Sequence, residues 1–147
     1  RVHVSTDGGE TFSPAATLPN SYPTNHLTLE TSPGKEGDIW IGMLKEGLFH
    51  STDSGAKFTK IAGIDSVDFL AVGKASPSNP GVPAVYILGK MGAVEKSLFR
   101  SIDNGATWTD LGVPAIGKSP FCMAADRCVF GRVYFGTTGN GAMVGEN

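Results

Sequence analysis

The sequence predicts an all-β protein built from short antiparallel strands. An eight-residue motif, Ser-x-Asp-x-Gly-x-x-Phe/Trp, occurs three times, beginning at Ser5, Ser51 and Ser101. Short apolar segments with a central aromatic residue recur between these motifs, and 20 glycines and 9 prolines punctuate the chain. Many tight turns between short apolar runs are typical of β folds with numerous strands rather than of helical folds.

The spacing of the motif narrows the prediction to a run of β-propeller blades. The three copies start 46 and then 50 residues apart, in the range of about 40–50 residues for a four-stranded blade. An independent strand motif repeats in phase, as Ile39–Gly42, Val85–Gly89 and Val133–Gly136, with final glycines 47 residues apart both times. We call the eight-residue motif the Asp-box and place it on a hairpin of each blade.

We assign strands A to D to each blade, with the Asp-box between C and D. Residues 1–18 supply C and D of a first blade, 26–61 a second blade, 68–111 a third, and 121–144 strands A to C of a last blade. Predicted strands of the second blade are His26–Thr31, Asp38–Met43, Gly47–Ser51 and Lys57–Ile61. Those of the third are Asp68–Lys74, Ala84–Lys90, Ser97–Ser101 and Thr107–Leu111, and those of the last are Phe121–Ala124, Gly131–Thr137 and Gly141–Val144.

The blade count predicts a partial propeller. Propellers typically close into rings of about four to eight blades, and here two complete blades are flanked by two incomplete ones. The last blade lacks its D strand and an Asp-box. The chain is therefore expected to be the C-terminal part of a longer polypeptide.

Each residue type of the Asp-box suits a turn. The aspartate can accept backbone N–H bonds where the chain reverses, and the glycine can adopt a positive φ that is costly elsewhere. The serine can add a hydroxyl bond, and the aromatic residue can pack into the blade. Catalysis or calcium binding is the alternative, but a residue needed once for chemistry would not recur in every blade. The structural residues are Ser5, Asp7, Gly9, Phe12, Ser51, Asp53, Gly55, Phe58, Ser101, Asp103, Gly105 and Trp108.

Composition and charge exclude several classes of partner. A net charge of −2 gives no electrostatic reason to expect nucleic acid or an anionic membrane. No stretch approaches the roughly 18 consecutive apolar residues of a membrane span. Cys122 and Cys128 could form a disulfide, as in an oxidising compartment, or be two buried free thiols, and the spacing leaves both open. No metal site or cofactor is predicted, because Cys and His at ligand spacing are too few.

The aromatic and histidine residues give few candidates for a binding site. Trp40, Tyr86 and Tyr134 occupy equivalent positions in successive B strands, so we expect them to pack in the core rather than stack on sugars. Tyr22, in a Pro-rich link between blades, is the candidate for substrate binding. The histidines show no clustering and are interpreted as strand or surface residues: His3, His26 and His50.

Several stretches resemble the xyloglucanases of glycoside hydrolase family 74. They are Asp38-Ile-Trp-Ile-Gly with Gly47-Leu-Phe-His-Ser-Thr-Asp-Ser-Gly-Ala-Lys-Phe, Val72-Gly-Lys-Ala-Ser-Pro, and Leu98-Phe-Arg-Ser-Ile-Asp-Asn-Gly-Ala-Thr-Trp. Phe130-Gly-Arg-Val-Tyr-Phe-Gly resembles the C-terminal end of that family. Asp-boxes also occur in sialidases and sortilin-like receptors, so the Gly-Lys-Ala-Ser-Pro and Gly-Arg-Val-Tyr-Phe-Gly stretches are the more specific part of this resemblance.

The resemblance implies a secreted, extracellular enzyme with two seven-bladed propellers facing across a cleft. Such enzymes cut the β-1,4-glucan backbone of xyloglucan with inversion, which needs an acid and a base about 6.5–9.5 Å apart. In the family these two aspartates lie near the starts of the propellers, whereas this chain resembles the end of the second. No catalytic residue is therefore assigned here. The implied partners are xyloglucan or a related β-glucan and the N-terminal propeller of the same polypeptide.

The remaining carboxylates have structural interpretations, and two other functions stay open. Asp65 and Asp68 are interpreted as solvated loop ends before a strand, and Asp126, next to Arg127, as a turn with a surface ion pair. Asp110 is likewise not assigned to catalysis. The alternatives are a non-catalytic binding propeller of receptor or assembly-factor type and a sialidase. A sialidase needs an arginine cluster, and the chain has only Arg1, Arg100, Arg127 and Arg132.

Overall fold

A computed structural model describes residues 1–19, 27–115, 120–139 and 141–146. Within these residues the chain forms thirteen β-strands and no helix. The strands form four antiparallel sheets in which neighbours in sequence are neighbours in space. The all-β prediction is confirmed.

Each sheet corresponds to one blade. The first contains β1 (Val2–Val4) and β2 (Ser13–Ala16). The second contains β3 (Leu27–Thr31), β4 (Ile39–Met43), β5 (Gly47–Ser51) and β6 (Thr59–Lys60). The third contains β7 (Ser66–Gly73), β8 (Ala84–Met91), β9 (Val94–Ser101) and β10 (Thr109–Asp110). The last contains β11 (Pro120–Ala125), β12 (Val133–Thr137) and β13 (Gly141–Gly145).

The D strands are shorter than the sequence pattern predicts. Only two residues of Lys57–Ile61 and two of Thr107–Leu111 pair with the neighbouring strand. The reason lies in the Asp-box, because the N–H groups of Lys57 and Thr107 bond to the box carboxylates instead of joining the ladder. Each box therefore occupies part of the segment that the pattern assigned to strand D.

The evenly spaced glycines of the strand motif are not structurally equivalent. Gly42 lies opposite Leu48, whereas the residue in the same ladder position of the third blade is Leu88, opposite Leu98. Gly89 is therefore one position further along its strand than Gly42. The third blade has a longer hairpin between strands B and C, and this insertion shifts the glycine while the ladder next to the box is retained.

Three apolar layers hold the blades together, because side chains alternate between the two faces of each sheet. The layer between the first and second blades contains Ile41, Met43, Phe49, Val2, Leu18, Ile39 and Phe58. The layer between the second and third contains Trp40, Leu48, Ile64, Val67, Leu70, Val72, Val85, Ile87 and Phe99. The layer between the third and last contains Ala71, Ala84, Tyr86, Leu88, Leu98, Met123, Val133 and Phe135.

Four aromatic residues predicted to be packed differ in burial: Trp40 and Tyr86 are buried, whereas Tyr134 and Phe12 are exposed. Trp40 and Tyr86 are each 1% exposed because each faces the blade that follows it. Tyr134 occupies the same position in the last blade and is 39% exposed, since no described blade follows on that side. Phe12 is 64% exposed, because the described part of the first blade consists of β1 and β2 and includes no A or B strand beneath it.

Candidate functional site

The Asp-box hairpins have one hydrogen-bonding pattern. In the second blade the Ser51 hydroxyl donates to Asp53 (2.8 Å) and accepts the N–H of Gly55 (3.0 Å). Asp53 in turn accepts the N–H of Lys57 (2.9 Å). The same bonds link Ser5, Asp7, Gly9 and Thr11 in the first box and Ser101, Asp103, Gly105 and Thr107 in the third. Each side chain thus serves the turn to which it belongs.

The box glycines adopt the backbone conformation that the motif predicts. Gly9, Gly55 and Gly105 have φ of 96°, 83° and 82°, values at which other residues are strained. The preceding residue is also left-handed, with φ of 58° at Ser54 and 57° at Asn104. Small or Asx-type residues at that position tolerate this conformation best.

The hydrogen bonds of the boxes favour ionised aspartates. The Lys57 N–H and the Ser51 hydroxyl lower the pKa of Asp53. The Ser5 hydroxyl and the hydroxyl and N–H of Thr11 hold the pKa of Asp7 well below its ordinary value. Burial opposes a similar shift at Asp103, but its bonds from Thr107 and Ser101 outweigh burial and lower its pKa. A proton donor requires the opposite shift.

A second polar cluster lies on the A–B side of the second blade. Asp38, 7% exposed, accepts hydrogen bonds from the Ser32 hydroxyl (2.5 Å) and the Trp40 indole N–H (3.0 Å). Its other oxygen lies 3.1 Å from His50 Nε2. The His50 ring is stacked on Trp40. Sequence reasoning missed this cluster, because its four residues come from two strands and a loop and match no local motif.

The carboxylates next to strand β7 stabilise the β8–β9 hairpin. Asp65 accepts the N–H of Gly92 at the hairpin tip (2.9 Å). Asp68 forms an ion pair with Lys96 (3.0 Å). The predicted strand Asp68–Lys74 starts two residues too late, since β7 begins at Ser66 and has a bulge between Val67 and Phe69. Asp68 therefore lies within the strand and not at a loop end.

Asp110 and Asp126 are also held by local bonds. The Ser97 hydroxyl and the Gly112 N–H lower the pKa of Asp110. The N–H groups of Cys128 and Val129 lower the pKa of Asp126. The ion pair of Asp126 is with Arg132, at 3.6 Å, and not with its neighbour in sequence, Arg127, because the hairpin brings β12 beside the turn.

One carboxyl group has the opposite shift. Burial raises the pKa of Glu30, on β3, while the nearby charge of Arg127 partly offsets that effect. No motif marked Glu30, and its half-buried state depends on the approach of neighbouring blades. A raised pKa is typical of a proton donor, but no second carboxylate in the described part of the chain contributes to the shift of Glu30.

Two of the four arginines are held by separate local contacts, and the two cysteines are not bonded to each other. Arg100 lies 4.9 Å from the ring centre of Phe130, and Arg132 is paired with Glu146 and Asp126, so these two do not converge on one anion site. Cys122 and Cys128 are unbonded, and both are exposed rather than buried.

Among the described residues no three His, Cys, Asp or Glu side chains form a group that could hold a metal ion. In the same ranges no helix is long and apolar enough to cross a membrane. Tyr22 and His26 lie outside the described residues, so the proposed binding role of Tyr22 stays a prediction.

Comparison with known proteins identifies similar sequences over nearly the whole chain. No protein-family profile matches it. The chain is 34% identical over 154 residues to a xyloglucanase of a Paenibacillus species and 36% identical over 148 residues to the xyloglucanase Xgh74A of Acetivibrio thermocellus. Each match covers 99% of this chain but only 14% and 17% of the relative.

Solved structures agree with the sequence matches. The fold matches a GH74 enzyme of Niastella koreensis with a TM-score of 0.79 and 30% identity, over 97% of this chain and 21% of that one. It matches the GH74 xyloglucanase of Xanthomonas campestris with a TM-score of 0.81 and 26% identity, over 99% and 20%. The chain is thus a β-propeller segment related to the xyloglucanases of glycoside hydrolase family 74.

Proposed function

We propose that the chain is the C-terminal part of a hydrolase that cuts the β-1,4-glucan backbone of xyloglucan with inversion. The observation that carries the proposal is the match along 98–99% of the chain to xyloglucanases of which it spans only 14–18%. A segment of that size corresponds to a few blades. The activity therefore belongs to the longer polypeptide, in which this segment would serve as scaffold and cleft wall.

Five aspartates among the described residues support a scaffolding role. Inverting cleavage needs a protonated acid and an ionised base on opposite sides of the sugar. The three box aspartates, together with Asp110 and Asp126, accept two or more local hydrogen bonds and have lowered pKa values. Groups that already hold a turn in this way are poor proton donors, so we place the catalytic pair in the remainder of the polypeptide.

The face formed by the B–C hairpins is the proposed cleft wall. In the third blade β8 extends two residues past Gly89 and β9 begins three residues before Ser97, so this hairpin projects about 7–10 Å further than that of the second blade. Its tip is tied down by Asp65, and its sides carry the ion pair of Lys90 with Glu95. A projecting, braced hairpin is suited to flank a polymer chain.

The remainder of the same polypeptide is the proposed partner of the exposed sheet faces. Leu27 and Leu29 are 49% and 52% exposed on the first-blade side of β3, and Tyr134 and Val144 are exposed on the outer face of the last blade. Equivalent positions inside the stack are buried against the adjacent blade. Further blades, seven in all, would cover both faces and close the ring.

We also propose that the polypeptide is secreted. Xyloglucan is a polymer too large to cross a membrane to an intracellular enzyme, so the place of action follows from the proposed substrate. Detection of the activity in cell-free culture fluid supports secretion. Activity that is found only in the lysate of washed cells contradicts it.

The full-length polypeptide tests the proposed activity. Incubation with xyloglucan should release reducing ends, and proton NMR should show the α-anomer forming first from the β-linked backbone, as inversion requires. Shortening the hairpin by joining Lys90 to Glu95 through a two-residue turn should raise KM for xyloglucan. Binding of xyloglucan without cleavage would instead support a non-catalytic propeller, and release of sialic acid from a sialoglycan would support the sialidase alternative.

A further inference from the structure

A groove crosses the A–B connections of three successive blades. Antiparallel order places these connections at the same end of the sheets as the Asp-box hairpins, and the Ser54 N–H donates to the Gly37 carbonyl across that end. The groove therefore lies on the face opposite the B–C hairpins. It is separate from the proposed cleft wall.

The groove has the size of a ligand site. Its volume is about 850 Å³, within the range of roughly 300–1,000 Å³ for small-molecule pockets. Apolar ring surfaces line much of it, supplied by Pro33, Pro77, Pro80, Pro83 and Phe130.

Contacts between the third and last blades hold two walls of the groove together. The Lys74 N–H donates to the Asp126 carbonyl (2.8 Å), which joins the third blade to the last. At Gly73 a Cβ would lie 2.7 Å from the Cβ of Ala125, so the two walls are in close contact. The Gly131 N–H donates to the buried Tyr86 hydroxyl (3.2 Å).

The lining is cationic. Lys35, Lys74 and Arg127 each come from a different blade, and none of the described residues that line the groove is acidic. None of the three cations has a carboxylate within ion-pair distance in the described part of the chain, although Glu30 lies close enough to Arg127 to interact with its charge. The chain as a whole has a net charge of −2, so the positive charge of the groove is a local property and does not reflect the overall composition.

We propose that this groove binds a carbohydrate chain that carries carboxylate groups, such as a polymer of uronic acids. Cations from three blades match negative charges spaced along a polymer, and proline and phenylalanine rings offer flat apolar surfaces to sugar rings. An acidic peptide fits less well, because the groove is lined by turns and presents no free strand edge for main-chain pairing. This site goes beyond the proposed hydrolysis of a neutral glucan.

The test uses the full-length polypeptide and an oligogalacturonide in titration calorimetry at low ionic strength. The matched neutral probe is the same oligosaccharide with its carboxyl groups reduced. We expect binding of the charged form only, weakened by added salt. Replacement of the three cations (Lys35→Gln, Lys74→Gln, Arg127→Gln) should weaken binding about tenfold or more.

A control variant makes the same change of charge elsewhere, with Lys45→Gln, Lys57→Gln and Lys60→Gln at exposed residues. It should change affinity less than about twofold. Equal losses in both variants, no binding by the native protein, or equal binding of the neutral probe would overturn the proposal. Groove-dependent binding of poly-glutamate as tight as that of the oligogalacturonide would overturn the carbohydrate assignment. Xyloglucan cleavage should be unchanged in the groove variant, so failure of this site and failure of the hydrolase proposal are separate results.

Discussion

The imidazole ring of His50 is stacked on the indole ring of Trp40, with centroids 3.7 Å apart and ring planes 10° from parallel. His50 Nε2 also lies 3.1 Å from Asp38, whose second oxygen accepts the Trp40 N–H. The buried carboxylate is thus bonded to both rings of the stacked pair. This arrangement connects the A–B end of the second blade to the apolar layer that it shares with the third.

His50→Ala should destabilise the propeller by about 2–3 kcal/mol, because it removes one partner of a buried carboxylate and exposes one face of the indole. Urea unfolding of the polypeptide, followed by tryptophan fluorescence, measures the change. The matched variant is His3→Ala, at an exposed strand residue, which should cost less than about 0.5 kcal/mol. Equal effects of the two substitutions would show that the cluster contributes nothing.

Gly89→Ala should destabilise the propeller by about 2–3 kcal/mol or more. The reason is that an added Cβ would lie 2.1 Å from the Ser66 carbonyl oxygen of the neighbouring strand. Gly81→Ala is the control. A Cβ there meets no atom within 4 Å. The alanine should therefore leave stability unchanged or raise it slightly, because it lowers the conformational entropy of the unfolded chain. Thermal unfolding of both variants compares them directly, and a tolerated alanine at position 89 would contradict the close strand approach.

Tyr86→Phe should lower the free energy of unfolding by about 1 kcal/mol. The substitution leaves the N–H of Gly131, which lies between two blades, without its hydrogen-bond acceptor. Tyr134 occupies the same ladder position in the last blade, but its hydroxyl donates to Asp126 at the surface. Tyr134→Phe should therefore cost less than about 0.5 kcal/mol. Chemical denaturation gives both values, and a larger effect at Tyr134 would reverse the assignment of buried and exposed faces.

Asp53→Asn should flatten the dependence of stability on pH. The pKa of Asp53 is lowered in the folded state, so its contribution is complete above the ordinary carboxyl pKa of 3.8 and is lost as the pH falls through the lower folded value. The native protein should be more stable than the variant at pH 7, and the difference should shrink in acid.

The measurement is the urea midpoint at a series of pH values, with Glu36→Gln as the control for charge. Glu36 is exposed in the A–B connection of the same blade, so its substitution should leave the acid dependence of the native protein unchanged. A constant difference between native protein and Asp53→Asn at all pH values would mean that the box does not require an ionised aspartate.

Much of the blade structure was predictable because the serine, aspartate and glycine of each Asp-box are held by hydrogen bonds to residues of the same hairpin. Ser51, Asp53 and Gly55 lie within five residues, so the bonds among them and the positive φ of the glycine depend on local sequence alone. The strand ends were less predictable, since Lys57 can either extend strand D or bond to the box. In the structure the Asp53 carboxylate accepts the hydrogen bond of the Lys57 N–H.

By itself, the sequence determined the all-β class, the blade phase and the turn role of each box, because those properties depend on local spacing and side-chain alternation. Only the tertiary structure decided which equivalent residues are buried. Trp40 and Tyr86 are covered by the next blade and Tyr134 is not, although their strands look alike. The Asp38–His50 pair and the cationic groove likewise arise where separate strands or blades meet. Their residues are distant in sequence, and contacts of that kind leave no periodic pattern in the chain.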